Sequence, residues 1–258
     1  MLKDQWYRVK DKAKLITPAL LIYPERVKQN IESMIAISGD LNRLIPHVKT
    51  YKMSAVVKLQ MSYGIKEFKC ATLGELQMLI SCRVKHILFA IQPTREKLIR
   101  ILEAQKQYPE ISFSTLVDNE DSLTLFSNLA ETQNQKINLW LDINNGMNRT
   151  GVVTKSAPEL YMKIYNDHNI SAKGIHVYDG HIRPKNLQQR IDQCNIDFQP
   201  VMELIAEIQN LGGEVPEKIT GGSPSFYPHA LNKSNRLSPG TTLLWDLGYQ
   251  KIWSESPF

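Results

Sequence analysis

The chain has 258 residues, of which 42% are hydrophobic and 22% are charged, and its formal net charge is +5. These values are typical of a globular protein with a sizeable core. Because the basic residues are scattered without a long run, the composition does not indicate nucleic-acid binding. Neither a signal segment nor an apolar stretch of roughly 18 residues occurs, so we expect a cytoplasmic protein that crosses no membrane.

Short apolar runs alternate with stretches of helical spacing along the chain, which is the pattern of a parallel α/β sheet. The N-terminal segment "TPALLIYPERVKQNIESMI" places Val27, Ile31 and Ile35 on one helical face. "PHVKT" is the first predicted strand and "EFKCAT" is the second. Thr72 then caps a helix and forms a capping box with Glu75.

The same alternation continues to the end of the chain. "HILFAIQP", "FSTLVD", "INLWLDI" and "KGIHVYDG" are predicted strands, and "EKIT" and "TTLLWD" are the last two. About eight strands predict a (β/α)8 TIM barrel, a fold of roughly 250 residues. A doubly wound open sheet is the alternative, but no glycine-rich turn follows the first strand.

A lysine at the end of the first predicted strand indicates where the chemistry lies, because barrels of this kind place catalytic residues at the carboxyl ends of strands. Partial desolvation there would lower the pKa of Lys49 and keep a nucleophilic amine for a Schiff base. The alternative is a surface lysine whose stem packs on apolar neighbours.

Two turns late in the chain complement that lysine. "GGSPS" at 221–225 and "SPGT" at 238–241 can each present backbone N–H groups to a phosphate. A strand-one lysine combined with a phosphate cradle after the last strands predicts a site for pyridoxal 5'-phosphate.

Seven segments carry a resemblance to a known family. The segments are "TPALLIYPERVKQNI", "PHVKTYK", "FKCAT", "LDINNGMNRTG", "GIHVYDGHI", "GGSPSF" and "SPGTTLLWDLGY". In this order they resemble the D-threonine aldolase and D-serine dehydratase-like proteins, which are relatives of alanine racemase. The resemblance implies a fold-type III pyridoxal phosphate enzyme. It also implies a cofactor-binding barrel at 1–242, and at 243–258 the start of a C-terminal β-domain that is largely absent from this chain.

The resemblance also implies roles for individual residues. Lys49 matches the lysine that holds the cofactor as a Schiff base. Arg149 matches the arginine near the phenolic oxygen, and Tyr178 matches a tyrosine near the cofactor ring. The phosphate-binding turns correspond to Gly222, Ser223, Gly240 and Thr241.

Three positions depart from related patterns. Ser238 falls where alanine racemases carry an arginine that faces the pyridine nitrogen, and a neutral group there would favour bond cleavage or elimination over racemisation. Tyr51 replaces the usual histidine of "PHVKTHK" and is expected at the mouth of the site with Lys52. The family's divalent metal is bound in the C-terminal domain by a His-x-Cys or His-x-Asp pair, which the sequence lacks, so we assign no metal ligand.

The leading functional hypothesis is cleavage of D-3-hydroxy amino acids, such as D-threonine, to glycine and an aldehyde. His181 is a candidate base, although an isolated histidine is often structural. Dehydration of D-serine is a second enzymatic hypothesis, and a non-catalytic pyridoxal phosphate carrier is a third. The resemblance further implies a homodimer for the full-length protein, a divalent metal, and a small D-amino acid as substrate.

Overall fold

A curled parallel sheet dominates the fold. The computed structural model describes residues 7–258, so the first six residues of the predicted barrel domain lie outside it. The strands are β1 (Glu67–Cys70), β2 (His86–Phe89), β3 (Ser112–Val117), β4 (Ile137–Asn144), β5 (Val152–Val153), β6 (Ile170–Val177), β7 (Glu217–Thr220) and β8 (Asn235–Leu237). They pair in the order β1-β2-β3-β4-β6-β7-β8, and β5 pairs with β4.

The predicted first strand joins the two edges of this sheet without forming a regular strand. Leu44 bridges to Leu237 on β8, and His47 bridges to Lys69 on β1. The Lys69 N–H donates to the carbonyl of Pro46 at 2.9 Å. Because proline has no N–H, the ladder at this point is incomplete, yet the backbone still closes the barrel.

Helices cover the outside of the barrel. They are α1 (Pro24–Ser38), α2 (Ser54–Ser62), α3 (Leu73–Ser81), α4 (Arg95–Gln107), α5 (Glu120–Gln133), α6 (Ala157–Asn166), α7 (Leu187–Asn210), α8 (Phe226–Leu231) and α9 (Leu247–Ile252). The predicted cap of α3 is confirmed, since Thr72 Oγ1 accepts from the Glu75 N–H at 3.2 Å. Within 7–258, no helix is both long enough and apolar enough to span a membrane.

The last predicted strand, "TTLLWD", is wrong. Thr241–Leu244 form a 3-10 helix, and the eighth strand of the barrel is β8 instead. Apolar runs this short do not distinguish a strand from a helical turn by periodicity, and the preceding Pro239 and Gly240 already turn the chain. Residues 243–258, predicted as the start of a β-domain, contain α9 and no strand.

The barrel interior is filled in layers, as alternate residues of each strand point inward. The middle layer is an apolar cluster that consists of Ile45, Leu88, Leu116, Trp140 and Ile219. Toward the amino ends of the strands lies a polar layer with Glu67, His86, Ser114 and Arg236. Toward the carboxyl ends, buried polar side chains from four strands or their ends meet, namely Lys69, Asp142, His176 and Ser238.

Candidate functional site

A cavity of about 460 Å³ opens at the carboxyl ends of the strands. This volume is within the usual range for small-molecule sites. Its polar wall includes His47, Lys49, Lys69, Asp142, Arg149, His176, Tyr178, Gly222, Ser223, Ser238, Gly240 and Thr241. Seven of the eight residues that the sequence assigned to the site therefore line one cavity.

Lys49 lies at the exposed rim of this cavity, in the 3-10 turn Val48–Thr50. His47 begins that turn, because its Nδ1 accepts from the Lys49 N–H at 3.2 Å. Partial burial and the charge of Arg149 lower the pKa of the Lys49 ammonium, and Glu75 opposes this shift. A lowered pKa increases the fraction of free amine, the form that attacks an aldehyde.

Tyr178 and Arg149 form the wall next to Lys49. The Arg149 Cζ lies 4.8 Å from the centroid of the Tyr178 ring, and the Lys49 Nζ lies 5.6 Å from it. Both distances allow cation–π attraction. The loop that carries Arg149 is held by Asn144, whose Oδ1 accepts from the Asn148 N–H at 3.0 Å.

On another wall, backbone N–H groups converge on one oxygen. The N–H groups of Gly240 and Thr241 donate to Ser223 Oγ at 3.2 and 2.8 Å. Two amides that share one acceptor have the geometry of an anion-binding turn, in which a phosphate oxygen can take the place of the hydroxyl. A Cβ on Gly222 would lie 2.8 Å from Cε2 of Tyr178, so glycine allows the tyrosine ring to lie against this turn.

A buried hydrogen-bond network supports the 221–225 turn. The Asp179 carboxylate accepts from the Ser225 hydroxyl, and its other oxygen lies 2.5 Å from His229 Nε2. Ser225 Oγ in turn accepts from the Gly222 N–H at 3.2 Å. Burial raises the pKa of Asp179, but the His229 charge and the hydrogen bonds outweigh it and lower that pKa. Asp179 therefore fixes the 221–225 turn, whose Ser223 faces the N–H groups of Gly240 and Thr241.

The cavity floor contains a chain of buried polar groups, and the sequence analysis did not predict the lysine at its centre, Lys69. Asp142 Oδ1 lies 2.6 Å from His176 Nδ1, and His176 Nε2 lies 2.7 Å from Lys69 Nζ. Lys69 also donates to Ser238 Oγ at 3.0 Å. In "EFKCAT", Lys69 alternates with Phe68 and Cys70, so the period of a strand could have placed its side chain in the barrel interior.

Burial changes the pKa values of two side chains on the cavity floor, Lys69 and His176. Burial first, and then the charges of Lys49 and Arg149, lower the pKa of Lys69 to about 7, although Asp142 opposes the shift. Burial and the Lys69 charge also lower the pKa of His176. Lys69 therefore carries a substantial neutral fraction near neutral pH, and it is a second amine of the cavity with a lowered pKa.

Comparison with known proteins identifies the family. The profile described as "Alanine racemase, N-terminal domain" matches residues 22–247. The chain belongs to the alanine racemase N-terminal domain family. This confirms the resemblance to fold-type III pyridoxal phosphate proteins and the predicted α/β barrel.

Two curated proteins are similar to the chain in sequence. The chain is 25% identical over 254 residues to 3-hydroxy-D-aspartate aldolase of Paracoccus denitrificans (strain Pd 1222). This alignment covers 94% of this chain and 64% of the relative. It is 26% identical over 147 residues to D-threo-3-hydroxyaspartate dehydratase of Delftia sp. (strain HT23). That alignment covers 57% of this chain and 38% of the relative. The chain thus spans less than two thirds of either relative.

Solved structures show the same fold. D-threonine aldolase from Filomicrobium marinum superposes with a TM-score of 0.83 at 23% identity, over 93% of this chain and 66% of that one. Alanine racemase from Corynebacterium glutamicum superposes with a TM-score of 0.69 at 18% identity, over 85% of this chain and 60% of that one.

The structure places two of the residues singled out in the sequence outside the lining of this cavity. His181, the candidate base, does not line the cavity; its Nε2 lies 3.3 Å from Asp197 Oδ2 on α7. Tyr51 does not reach the mouth of the site, because its side chain is buried in the core and its hydroxyl accepts from Gln60 Nε2 at 2.7 Å. Since an aromatic ring prefers the apolar layer between barrel and helices, Tyr51 turns away from the cavity.

Proposed function

We propose that the chain forms the pyridoxal phosphate-binding barrel of a lyase that acts on D-3-hydroxy amino acids. One observation carries this proposal. A lysine with a lowered pKa and a turn with converging backbone N–H groups lie on the wall of the same cavity. These are the two attachment points that pyridoxal phosphate requires, one for its aldehyde and one for its phosphate.

The residues of the cavity fit this cofactor. Ser223 Oγ already accepts from two backbone N–H groups at the position suited to a phosphate oxygen. Lys49 and Arg149 provide positive charge at the rim, next to the ring of Tyr178. When bound, pyridoxal phosphate supplies the aldehyde that takes up the substrate amine and the conjugated ring that accepts electrons from the broken bond.

The protein's own residues would have separate roles in cofactor binding. Gly240 and Thr241 bind the phosphate through their N–H groups, and Asp179 holds the turn opposite them through Ser225. Arg149 neutralises negative charge at the rim, because its guanidinium forms hydrogen bonds with oxygen anions.

Lys49 is the group that we propose to move the proton. Lys49 would hold the aldehyde of the cofactor, and as a free amine with a lowered pKa it would be able to take the proton from the substrate's 3-hydroxyl group. Neutral His47 does not compete through Nδ1, since that nitrogen already accepts from the Lys49 N–H. His181 is less suitable, because Asp197 binds it outside the cavity lining.

A cluster of potential metal ligands lies outside the lining of the cavity. Asp179, Cys194 and His229 are the described residues whose potential ligand atoms lie within 4.8 Å of one another. All three are buried below the anion-binding turn, and both oxygens of Asp179 are already hydrogen-bonded. This cluster therefore does not fit a metal that contacts substrate.

The charge of the cavity favours a substrate with a second carboxylate. Lys49, Lys69 and Arg149 outnumber Asp142, the acidic residue of the wall. The relatives named above include an aldolase and a dehydratase of 3-hydroxyaspartate. We therefore propose D-3-hydroxyaspartate as a better substrate than D-threonine, with carbon–carbon cleavage as the leading reaction and dehydration as the second.

The products distinguish these reactions. Purified protein is incubated with pyridoxal phosphate, a divalent metal salt and D-threo-3-hydroxyaspartate, D-threonine or the L enantiomers. Glycine with glyoxylate or acetaldehyde supports cleavage, and ammonia with oxaloacetate or 2-oxobutanoate supports dehydration. A cofactor-loaded protein that converts none of the D substrates contradicts the proposed function.

A further inference from the structure

Apart from its contribution to the positive charge of the cavity, the buried amine of Lys69 has no role in the function proposed above. Its side chain is 3% exposed, yet it lines the cavity. Burial of an amine is unfavourable unless hydrogen bonds and charges compensate, so a lysine at this position requires a reason.

The hydrogen bonds of Lys69 leave one donor free. A carboxylate only accepts, so the contact with Asp142 places the proton of His176 on Nδ1 and leaves Nε2 as an acceptor. Lys69 donates to that nitrogen and to Ser238 Oγ, whose hydroxyl donates to the Gly221 carbonyl at 2.8 Å. A lysine ammonium has three N–H groups, and within 7–258 no protein group accepts the third.

The depth of the two lysines indicates which ligand atom this donor meets. Lys49 and Arg149 lie at the exposed rim, whereas Lys69 lies on the floor. In pyridoxal phosphate the phenolic oxygen is next to the aldehyde carbon, whereas the ring nitrogen is on the opposite side of the ring. A ring attached at the rim therefore directs its nitrogen, not its phenolic oxygen, toward the floor.

We infer that Lys69 is a cofactor-contacting residue whose third N–H donates to the ring nitrogen of bound pyridoxal phosphate. This inference rests on the proposed function. The contact changes how Ser238 is interpreted, because its hydroxyl is bound to Lys69 and Gly221. The group that faces the ring nitrogen is then a lysine that polarises the ring, not a neutral serine.

Binding of the cofactor becomes coupled to a proton. The charged and titratable groups near Lys69 are Asp142, His176, His47, Lys49 and Arg149. Only the charged amine has three N–H groups, so only this form can donate to His176, to Ser238 and to the ring nitrogen at once. The affinity for pyridoxal phosphate therefore falls as the pH rises through the Lys69 pKa of about 7. Substitution of Lys69 removes this part of the pH dependence of cofactor affinity. The parts that are due to the titration of Lys49 and of the cofactor itself remain.

The test compares wild type, Lys69→Met, Lys69→Gln and the control Lys66→Met, which changes an exposed lysine three residues away. Pyridoxal phosphate is titrated by absorption at pH 6.5 and 8.5. We expect about tenfold weaker binding by Lys69→Met at pH 6.5, a smaller pH dependence, and a shifted absorption maximum of the bound cofactor. Lys69→Gln keeps an uncharged donor and is expected to lie between Lys69→Met and wild type, and Lys66→Met to equal wild type.

Thermal melts without cofactor check that each variant folds. Folded Lys69→Met and Lys69→Gln proteins with wild-type affinity, pH dependence and absorption maximum would overturn the inference while the proposed function stands. Covalent attachment of the cofactor to Lys69 would overturn it as well, because a bonded amine is no longer a donor to the ring nitrogen. Wild-type protein that binds no pyridoxal phosphate would instead contradict the proposed function, and the inference with it.

Discussion

Two lysines reach the same cavity from different depths, and their surroundings give them different chemistry. Lys49 lies at the rim, where partial burial lowers its pKa but leaves the amine accessible. Lys69 lies on the floor, where burial lowers its pKa to about 7 and His176 and Ser238 bind its amine. Accessibility favours Lys49 as the nucleophile, and the fixed geometry favours Lys69 as a hydrogen-bond donor.

The stability of the cofactor-free protein is expected to depend on Lys69 and pH. The Lys69 pKa is about 7 in the folded state and near 10.5 in a solvated chain. Between these values the unfolded state binds more protons, so stability rises with pH. Relative to Lys69→Met, wild type should gain about 2 kcal/mol in free energy of unfolding between pH 7 and 9. Urea unfolding at both pH values measures this, and an equal change in both proteins would contradict it.

Arg149 should matter for cofactor binding more than for folding. Its side chain is exposed and its guanidinium lies over Tyr178. Arg149→Met removes a charged donor, so we expect at least tenfold weaker binding of pyridoxal phosphate and an unchanged melting temperature. Arg100→Met on the surface of α4 is the control. Equal affinity of the two variants would exclude the proposed role of Arg149.

At the scale of elements, strands place the floor residues and turns place the ligand-binding groups. Asp142 and His176 come from neighbouring strands β4 and β6, where they are directly paired. The anion-binding groups come from the turns after β7 and β8, and the rim lysine comes from a 3-10 turn. The buried Asp179 network fixes one of these turns below its surface.

Asp179→Asn is expected to weaken both the turn and the fold. The two carboxylate oxygens of Asp179 accept from Ser225 and His229, whereas asparagine has a single side-chain oxygen. One buried partner therefore loses its hydrogen bond. We expect a loss of about 2–4 kcal/mol in free energy of unfolding and weaker protection by inorganic phosphate. Thermal melts with and without phosphate measure both, with Asp192→Asn on the exposed surface of α7 as the control. A variant as stable and as well protected as the control would show that the network does not support the turn.

The sequence predicted most elements and walls of the site, but not their contacts. The βα alternation predicted the barrel, the pattern of residues after the strands predicted Lys49 and both turns, and the resemblance added Arg149. "PHVKT" closes the barrel without a regular strand because Pro46 lacks a ladder donor. Tyr51 and His181 were misplaced because residue type does not show which way a side chain turns after a strand ends.

At the scale of the whole molecule, polar groups close the barrel at the end opposite the cavity. Arg236 on β8 binds Glu67 on β1 at 2.7 Å and Glu217 on β7 at 2.9 Å. Burial would raise the pKa of Glu67, but hydrogen bonds with His86 and Arg236 and the Arg236 charge lower it to about 2. The ion pair thus joins the two edges that the backbone closes only in part.

Removal of this ion pair should destabilise the barrel without altering the cavity. Arg236→Met removes the permanent cation beside the partly buried Glu67 and leaves His86 as its partner at 2.8 Å, so we expect a loss of about 3 kcal/mol in free energy of unfolding at pH 7. The folded Glu67 pKa is depressed, so its contribution is present above pH 4.5 and is lost as the pH falls toward 2. Urea unfolding at pH 7 and 3 measures this, with Lys218→Met as the control. A difference between wild type and Arg236→Met that is equal at both pH values would contradict it.

The identity of the lysine that holds the cofactor tests the central claim most directly. Wild-type protein is mixed with pyridoxal phosphate, reduced with borohydride, digested and mapped for the modified lysine. We expect the phosphopyridoxyl group on Lys49. A label on Lys69 instead, or no label at either lysine, would contradict it.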